Sequence, residues 1–553
     1  MDKKKIAILS NITVNLLATK LGKQYDVYIL DGFDMWISDI FNSKSSLYSE
    51  SRQSIIILLD GMEFRSMKSV DAYAQRISLW RSAIETLVDR IVDTPIFVST
   101  IDFRESKIKS LSERKYYYEL ANEWYLFVQS LVERKSNVFI IDILQRILDE
   151  GRNNFYSNKM WYIGSMPYSK QGILAVSEEI SKALGSVFES RKKIIALDLD
   201  NTLWGGVVGE DGIEGIELSD HKEGARFYDF QLRLLEMQKR GVLLAINSKN
   251  NIDDALKAIQ NHPDMILREE SFVAEKINWN DKASNIKEME TELNLTESSF
   301  VFVDDNPIER EVVIGQCPDV YVPVFPVDSS DLSDFAENLY SKFFMPMSLT
   351  DEDKIKTQMY QTESKRKILK NNSLNLDDYI KILEIKADMH LMREKERERV
   401  HQLCNKTNQF NLTTKRYTLT DIANMEANND IDIFSIYSSD KFGDNGLVGT
   451  VICKKNNEDI IIDTFLMSCR VMGRKLENVI IYSLVNFYNG KFKKLIGLFV
   501  STSKNKPVVN KYEELGFNII STSEDVKTYS FDLSVGYNRI DAYSEITLNG
   551  VNI

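Results

Sequence analysis

The sequence predicts a multidomain α/β protein. Over residues 1–190, short apolar runs of strand length alternate with longer segments of helical spacing. A second alternation of the same kind begins at Lys193. The last third reads differently: strand-like runs follow one another before a helix, as in an α+β unit. At 553 residues the chain exceeds one ordinary core, and domain sizes call for about three to four units.

In the first unit the strand-like runs are Lys5–Leu9, Val27–Leu30, Ile55–Leu59, Ile96–Ser99 and Val138–Ile141. Helical spacing fills Ala72–Ile91 and Glu113–Val132 between them, the pattern of a doubly wound sheet. The second unit, 191–345, opens on the buried-strand run Lys193–Leu197 and continues through Val242–Ile246, Phe300–Val303 and Val320–Val322. A polar stretch from Thr350 to Lys370 reads as a linker helix, placed at 346–375. The third unit, 376–553, has strands at Leu447–Cys453, Asp459–Phe465 and Lys494–Val500, with helices at Lys475–Tyr488 and Val508–Leu515. Repeats and low-complexity tracts are absent from the sequence.

Composition narrows the function classes. An apolar fraction of 43% is ample for globular folding. A net charge of −13 argues against a nucleic-acid backbone as main partner. No apolar run has the length needed to span a bilayer. Met1-Asp2-Lys3-Lys4-Lys5 leads into a strand rather than a secretory apolar stretch, so a cytoplasmic protein is expected. The four cysteines, Cys317, Cys404, Cys453 and Cys469, form neither a disulfide framework nor a CxxC pair.

The chemistry-bearing residues sit at strand ends, where ligands of open α/β sheets bind. Asp198-Leu199-Asp200-Asn201-Thr202 follows the run that opens the second unit. Two carboxylates at i and i+2 can address one phosphoryl group: one attacks phosphorus, the other protonates the leaving oxygen and later activates water. Ser248 follows the next strand and offers a hydroxyl to a phosphoryl oxygen. Lys282 supplies a cation for transition-state charge. Asp304 and Asp305 end the strand Phe300–Val303 and, with Asp198, suit Mg²⁺, a hard cation that favours carboxylate oxygens. Asp200 is counted with these ligands, and Thr202 with the phosphate-binding residues. The blander alternative is a set of helix caps and solvated turns.

Four motifs in this order form the signature of the haloacid dehalogenase (HAD) superfamily. Leu199–Gly206, Asn278–Lys282 and Val303–Arg310 resemble the narrower FkbH-like, HAD-IIIC subfamily, as do Lys406–Thr414 and Ser468–Arg474. The resemblance implies a Rossmann-like HAD domain. It also implies a chain that loads a three-carbon acyl unit, for instance from 1,3-bisphosphoglycerate, onto an acyl carrier protein. The spacings between Ser248, Lys282 and Asp304 leave no room for a large cap, only a small flap at Gly205–Glu217. An open site of this kind suits a carrier-borne phosphoryl group better than a small metabolite sealed from water.

The third unit resembles the GNAT acyltransferase fold through Arg470–Lys475 and Asn510–Phe517. In that fold the first segment turns backbone N–H groups toward the pyrophosphate of coenzyme A. Lys475 departs from the usual small residue, which suits phosphopantetheine on a carrier protein better than coenzyme A. Arg470, Gly473, Arg474, Asn408 and Tyr512 are the expected acyl- or pantetheine-binding residues. Cys469, beside Arg470 and close to a helix N-terminus, is the candidate nucleophile, since both neighbours favour thiolate. Its alternative is a small buried core cysteine. His401 and Asn408-Gln409 are candidates for orienting substrate.

In the first unit Ser10-Asn11 resembles an SGNH-hydrolase-like or flavodoxin-like start. Such hydrolases need a histidine base, and the first histidine of the chain is His221. A docking or structural module is therefore expected, with Asp31-Gly32 and Asp60-Gly61 as turn residues. The combined reading is a bifunctional acyltransferase and phosphatase acting on an acyl-phosphate metabolite. One rival is a phosphatase fused to a coenzyme A-dependent acyltransferase acting on a sugar amine in surface-polysaccharide synthesis. The other is a phosphatase whose outer domains are scaffold only.

Overall fold

The computed structural model describes residues 3–553 except 31–33, 67–69, 105–107, 109, 111, 113–114, 190, 350, 372, 374, 503 and 524–525. The side chains of 66, 70–71, 115–118, 351–352, 364–365, 367–368, 370–371 and 469 also lie outside the described set. The Asp31-Gly32 turn falls among the undescribed residues. Two compact units emerge. One is Met1–Val242 with Asp253–Ile266 and Glu297–Lys354; the other is Leu243–Ile252 with Leu267–Thr296 and Ile355–Ile553.

The first unit begins with strands β1 (Lys4–Ser10), β2 (Tyr25–Ile29), β3 (Ser54–Leu58), β4 (Ile96–Ser99) and β5 (Val138–Ile141). They form a parallel sheet in the order β2-β1-β3-β4-β5. Side chains alternate between its faces with period two. Ala7, Leu9, Ile55 and Ile57 join one core with Trp36, Trp80 and Trp124. Ile6, Ile8, Ile56 and Leu58 join another with Phe155, Val176 and Ile180. Burial on both faces explains why these strands read as continuous apolar runs rather than alternating ones.

Four further strands are β6 (Ile194–Leu197), β7 (Leu243–Ser248), β8 (Phe272–Ile277) and β9 (Phe300–Val303). In the first unit β6 pairs in parallel with β9. In the second β7 pairs in parallel with β8. The run Val320–Val322, expected as a strand, makes only an isolated parallel bridge between Tyr321 and Val301. Pro318, Pro323 and Pro326 surround it, and proline cannot donate to a ladder.

The second unit continues with β10 (Lys386–Leu391), β11 (Ile431–Asp440), β12 (Gly443–Asn456), β13 (Asp459–Met467), β14 (Lys494–Val500), β15 (Asn518–Thr522), β16 (Val526–Asp532), β17 (Glu545–Leu548) and β18 (Val551–Asn552). Their order is β15-β16-β14-β13-β12-β11-β10-β17-β18. Strands β10 to β13 are antiparallel neighbours, and β13 to β14 is parallel. The helix Leu476–Tyr488 connects that parallel pair and buries Val479, Ile480, Leu484 and Tyr488 in the core. The expected helix at Val508–Leu515 is two short pieces, Lys506–Val508 and Lys511–Glu514.

The helix Lys356–Asn371, read from sequence as a linker, packs on β8 within the second unit. Gln361 Nε2 donates to the carbonyls of Glu270 and Phe272, both at 2.9 Å. Among the described residues no helix is long and apolar enough to cross a membrane.

Candidate active site

In the first unit, the register Leu197↔Val303 sets the carboxyl ends of β6 and β9 level. Asp198 and Asp304 follow directly, and Asp198 N donates to Val303 O at 3.0 Å. Ligand atoms of Asp198, Asp304 and Asp305 lie within 4.8 Å of one another. Asp198 is 7% exposed and Asp304 is 0% exposed. Oxygens around one Mg²⁺ at about 2.1 Å sit roughly 3–4 Å apart in an octahedron, so three hard carboxylates at this spacing fit that cation. Asp304 Oδ1 accepts from Asn306 N at 2.9 Å, and Arg310 Nη1 donates to the carbonyls of Asp304 and Asp305 at 2.7 and 2.6 Å. These bonds fix the turn after β9.

Asp200, expected among the ligands, lies outside that triad. Its Oδ1 accepts from Trp204 Nε1 at 2.8 Å and from Val208 N at 3.0 Å, which turns the carboxyl toward the flap. Asn201 adopts the left-handed conformation, φ 54°, that reverses the chain between the two aspartates. Thr202, expected to bind phosphate, is fully buried, and its hydroxyl accepts from Asp305 N at 3.3 Å. It therefore buttresses the turn that carries Asp304 and Asp305. The flap closes on itself through Gly205 and Glu217, which exchange backbone hydrogen bonds of 3.1 and 2.8 Å. A Cβ at Gly205 would come within 2.8 Å of both Glu217 Oε2 and the Phe227 ring, so this position requires glycine.

In the second unit, Ser248 ends β7 and is 1% exposed; its carbonyl accepts from Asn278 N at 3.1 Å. Lys282 opens the helix Lys282–Leu293, capped by Asp281, and is 2% exposed. Asparagines hold this region together. Asn247 Nδ2 donates to Lys282 O at 3.0 Å, Asn285 Nδ2 donates to Asn247 Oδ1 at 3.0 Å, and Asn278 bonds Asn285. Sequence reading assigned no role to Asn247, Asn285, Trp204 or Arg310. Their only signal was proximity to motif residues.

The C-terminal candidates fare unevenly. The backbone of Cys469 lies in the turn Cys469–Val471; its side chain lies outside the described residues. Arg474, expected to bind the acyl or pantetheine group, is engaged by acidic partners. It is 3% exposed, pairs with Glu363 at 2.6 Å and Asp440 at 3.4 Å, and donates to Arg470 O at 2.7 Å. Arg366 completes the network on Asp440 at 2.8 Å. A desolvated guanidinium demands such partners, and Glu363 on the supposed linker helix supplies one. Tyr512 is likewise a core residue: 1% exposed, with its ring where a Cβ on Gly497 would lie, only 2.5 Å away.

Arg470 donates to Ser468 Oγ at 3.2 Å and reaches Met359 Sδ at 3.1 Å. Gly473 has φ 74° and Lys475 φ 57°, and Lys475 Nζ bonds Asp377 at 2.6 Å. Asn408 Oδ1 accepts from Arg416 Nη2 at 2.6 Å. The Lys406–Thr414 segment runs along β13, the strand that leads into Ser468–Arg474. Met467 N donates to Phe410 O and Leu412 N to Phe465 O, both at 3.0 Å, while Val500 N donates to Leu412 O at 2.8 Å. His401 lies on the helix Arg397–Lys406.

The N-terminal sheet carries a polar cluster that sequence reading took for a turn. Asp60 is buried after β3; Asn11 Oδ1 accepts from its N–H at 2.9 Å, and Asn11 Nδ2 donates to its carbonyl at 2.8 Å. Its carboxylate accepts from Met62 N at 2.8 Å and Tyr156 OH at 3.2 Å. Burial, aided by the Asp102 carboxylate, pushes Asp60 up to about 7 despite these donors. Ser10 Oγ donates to Leu58 O at 2.5 Å.

No protein-family model matches the chain, and no curated protein does. Solved structures do. The N-terminal part of protein BF1531 from Bacteroides fragilis, described as containing a phosphatase domain and complexed with Mg, is 24% identical with a TM-score of 0.58; the likeness covers 63% of this chain and 96% of that one. The ribosomal-protein-S18-alanine N-acetyltransferase of Escherichia coli is 9% identical with a TM-score of 0.22, covering 28% of this chain and 99% of that one. A spermidine N-acetyltransferase chimera from Vibrio cholerae is 16% identical with a TM-score of 0.22, covering 27% and 98%. The likeness to the Bacteroides fragilis structure is one of fold, and the other two are too slight to carry weight. The chain is thus a multidomain α/β protein that shares, over 63% of its length, the fold of a Mg-bound structure described as containing a phosphatase domain.

Proposed function

We propose that the chain is a Mg²⁺-dependent phosphatase of the HAD-IIIC, FkbH-like type joined to an acyltransferase. In this reading it takes a three-carbon acyl unit from an acyl phosphate such as 1,3-bisphosphoglycerate and loads it on an acyl carrier protein. The observation that carries the phosphatase half is the carboxylate triad at the level ends of β6 and β9, with Asp200 held beside it.

Asp198 is the nucleophile. Its carboxylate oxygen forms a bond to phosphorus as the ester oxygen leaves with the electron pair and takes a proton from Asp200. Asp200 then accepts a proton from water, whose oxygen attacks phosphorus and frees Asp198. Asp198, Asp304 and Asp305 would hold Mg²⁺, which when bound offsets the negative charge of the phosphoryl group. Lys282 and Ser248 are the expected phosphate-binding partners. In the acyltransferase half the Cys469 thiolate attacks the acyl carbon, phosphate leaves, and the thioester passes to the carrier thiol.

The engagement of Arg474 with Glu363 and Asp440, and of Lys475 with Asp377, supports a carrier-borne phosphopantetheine. The test is intact-protein mass spectrometry of a phosphopantetheinylated carrier mixed with the chain, Mg²⁺ and a source of 1,3-bisphosphoglycerate. A glyceryl adduct lost with Cys469→Ala supports the reading, and Asp198→Asn should trap the phosphoglyceryl form. Phosphate release with no adduct would discard the carrier-loading half.

A further inference from the structure

Within the phosphatase reading, we propose that Trp204 is a positioning residue for Asp200, and that the flap beyond it is part of the same device. Trp204 is fully buried four residues after Asp200. Its indole N–H and the Val208 backbone N–H converge on one oxygen, Oδ1, at 2.8 and 3.0 Å. Two N–H donors that converge on a single oxygen set it apart from the other oxygen of the carboxyl group. The pair of donors also fixes the rotamer about both side-chain torsions, and orientation to within a fraction of an ångström governs proton transfer in the transition state.

The second donor is itself held by the flap. Val208 opens the turn Val208–Asp211. Asp211 Oδ2 accepts from Val207 N at 2.8 Å, and Asn201 Oδ1 accepts from Gly206 N at 3.0 Å. Gly206 adopts φ 90°, a conformation that presents its N–H to Asn201 without a side-chain penalty. The Gly205–Glu217 bridge closes the loop behind it. A buried indole N–H calls for an acceptor; here that acceptor is the acid expected to protonate the leaving oxygen.

The proposal makes the leaving group decisive. Cleaving an alkyl phosphate ester breaks the P–O bond and puts the electron pair on an alkoxide, which must take the Asp200 proton as it forms. Cleaving para-nitrophenyl phosphate puts the pair on a stable phenolate, which needs no proton. Trp204→Phe removes the N–H and keeps a smaller aromatic ring at the site. In the full chain with Mg²⁺, kcat/KM, which reports the steps up to phosphoryl transfer to Asp198 and not the later hydrolysis that Asp200 also serves, should fall about tenfold or more for glycerol phosphate and stay within about twofold for para-nitrophenyl phosphate.

A second readout needs no turnover. In protein isotope-labelled at tryptophan, the indole N–H resonance that disappears in Trp204→Phe should be the one that moves in Asp200→Ala. An equal fall in kcat/KM for both substrates, or a Trp204 resonance indifferent to Asp200→Ala, overturns the assignment. A wild-type chain inert toward both phosphates would instead remove the phosphatase reading, and the resonance alone would then decide whether Trp204 holds Asp200.

Discussion

Replacing Asp304 by asparagine tests the carboxylate triad through stability rather than turnover. Three carboxylates with ligand atoms inside 4.8 Å repel one another. At an effective dielectric of about 20, two unit charges at that distance interact by about 3.5 kcal/mol, and Asp304 faces two such neighbours. Solvent at the partly exposed Asp305 and counter-charges elsewhere in the fold reduce this severalfold, so the metal-free variant should gain about 1–2 kcal/mol over wild type. The substituted amide would keep the Oδ1 acceptor for Asn306 N, so the turn itself survives.

Wild type should recover more on adding metal, since a ligand at one hundred times its dissociation constant stabilises by about 2.7 kcal/mol. The assay is thermal unfolding with and without Mg²⁺, read as a shift because a chain of this size need not unfold in two states. Asp304→Asn should melt higher than wild type without metal and lose the Mg²⁺-dependent shift. Asp200→Asn should retain that shift, because its carboxylate lies outside the triad. A full shift in Asp304→Asn, or its loss in Asp200→Asn, would refute the assignment of the cation to Asp198, Asp304 and Asp305.

Three further outcomes follow from buried charges. Asp60 has its carboxyl raised from 3.8 to about 7 in the folded state, so the stability it contributes is present below pH 3.8 and lost as pH rises through 7; Asp60→Asn should flatten the decline in melting temperature of the N-terminal sheet between pH 5 and pH 8, a range of about 3 units around that value. Burial would raise Asp463, but Lys415, Lys454 and Tyr417 hold it down at about 2. Its contribution is therefore present above 3.8 and lost as pH falls through 2, and acid titration of Asp463→Asn should lack that loss. Arg474→Met leaves Glu363 and Asp440 facing an apolar side chain and should destabilise the second unit by about 3 kcal/mol in urea unfolding, with Arg366 limiting the damage. Arg474→Lys should not restore it, since one ammonium cannot reproduce the forked contacts.

Residues 194–197 and 300–303 could be recognised as strands from the sequence because apolar runs bounded by turn acids are a short-range signal. Asp198, Asp304 and Asp305 could be named from the sequence because they follow those runs, whereas the in-register pairing of the two strands decided that their ligand atoms lie within 4.8 Å of one another and that Asp200 lies apart. The parallel first sheet was legible for the same reason, its strands being buried on both faces. Partner choice is different in kind, because it depends on residues far apart along the chain. Arg474 reads as a ligand-binding cation until Glu363, 111 residues away, takes it. Tyr512 reads as a binding residue until Gly497 opens a space beneath its ring. Asp60 reads as a turn until Asn11 and Tyr156 enclose it. Even within one motif, the tertiary structure decided that Thr202 faces inward and that Asp200 answers to Trp204 and Val208. A side chain's direction there is set by the hydrogen-bond donors that the fold brings around it, and sequence spacing alone does not specify them.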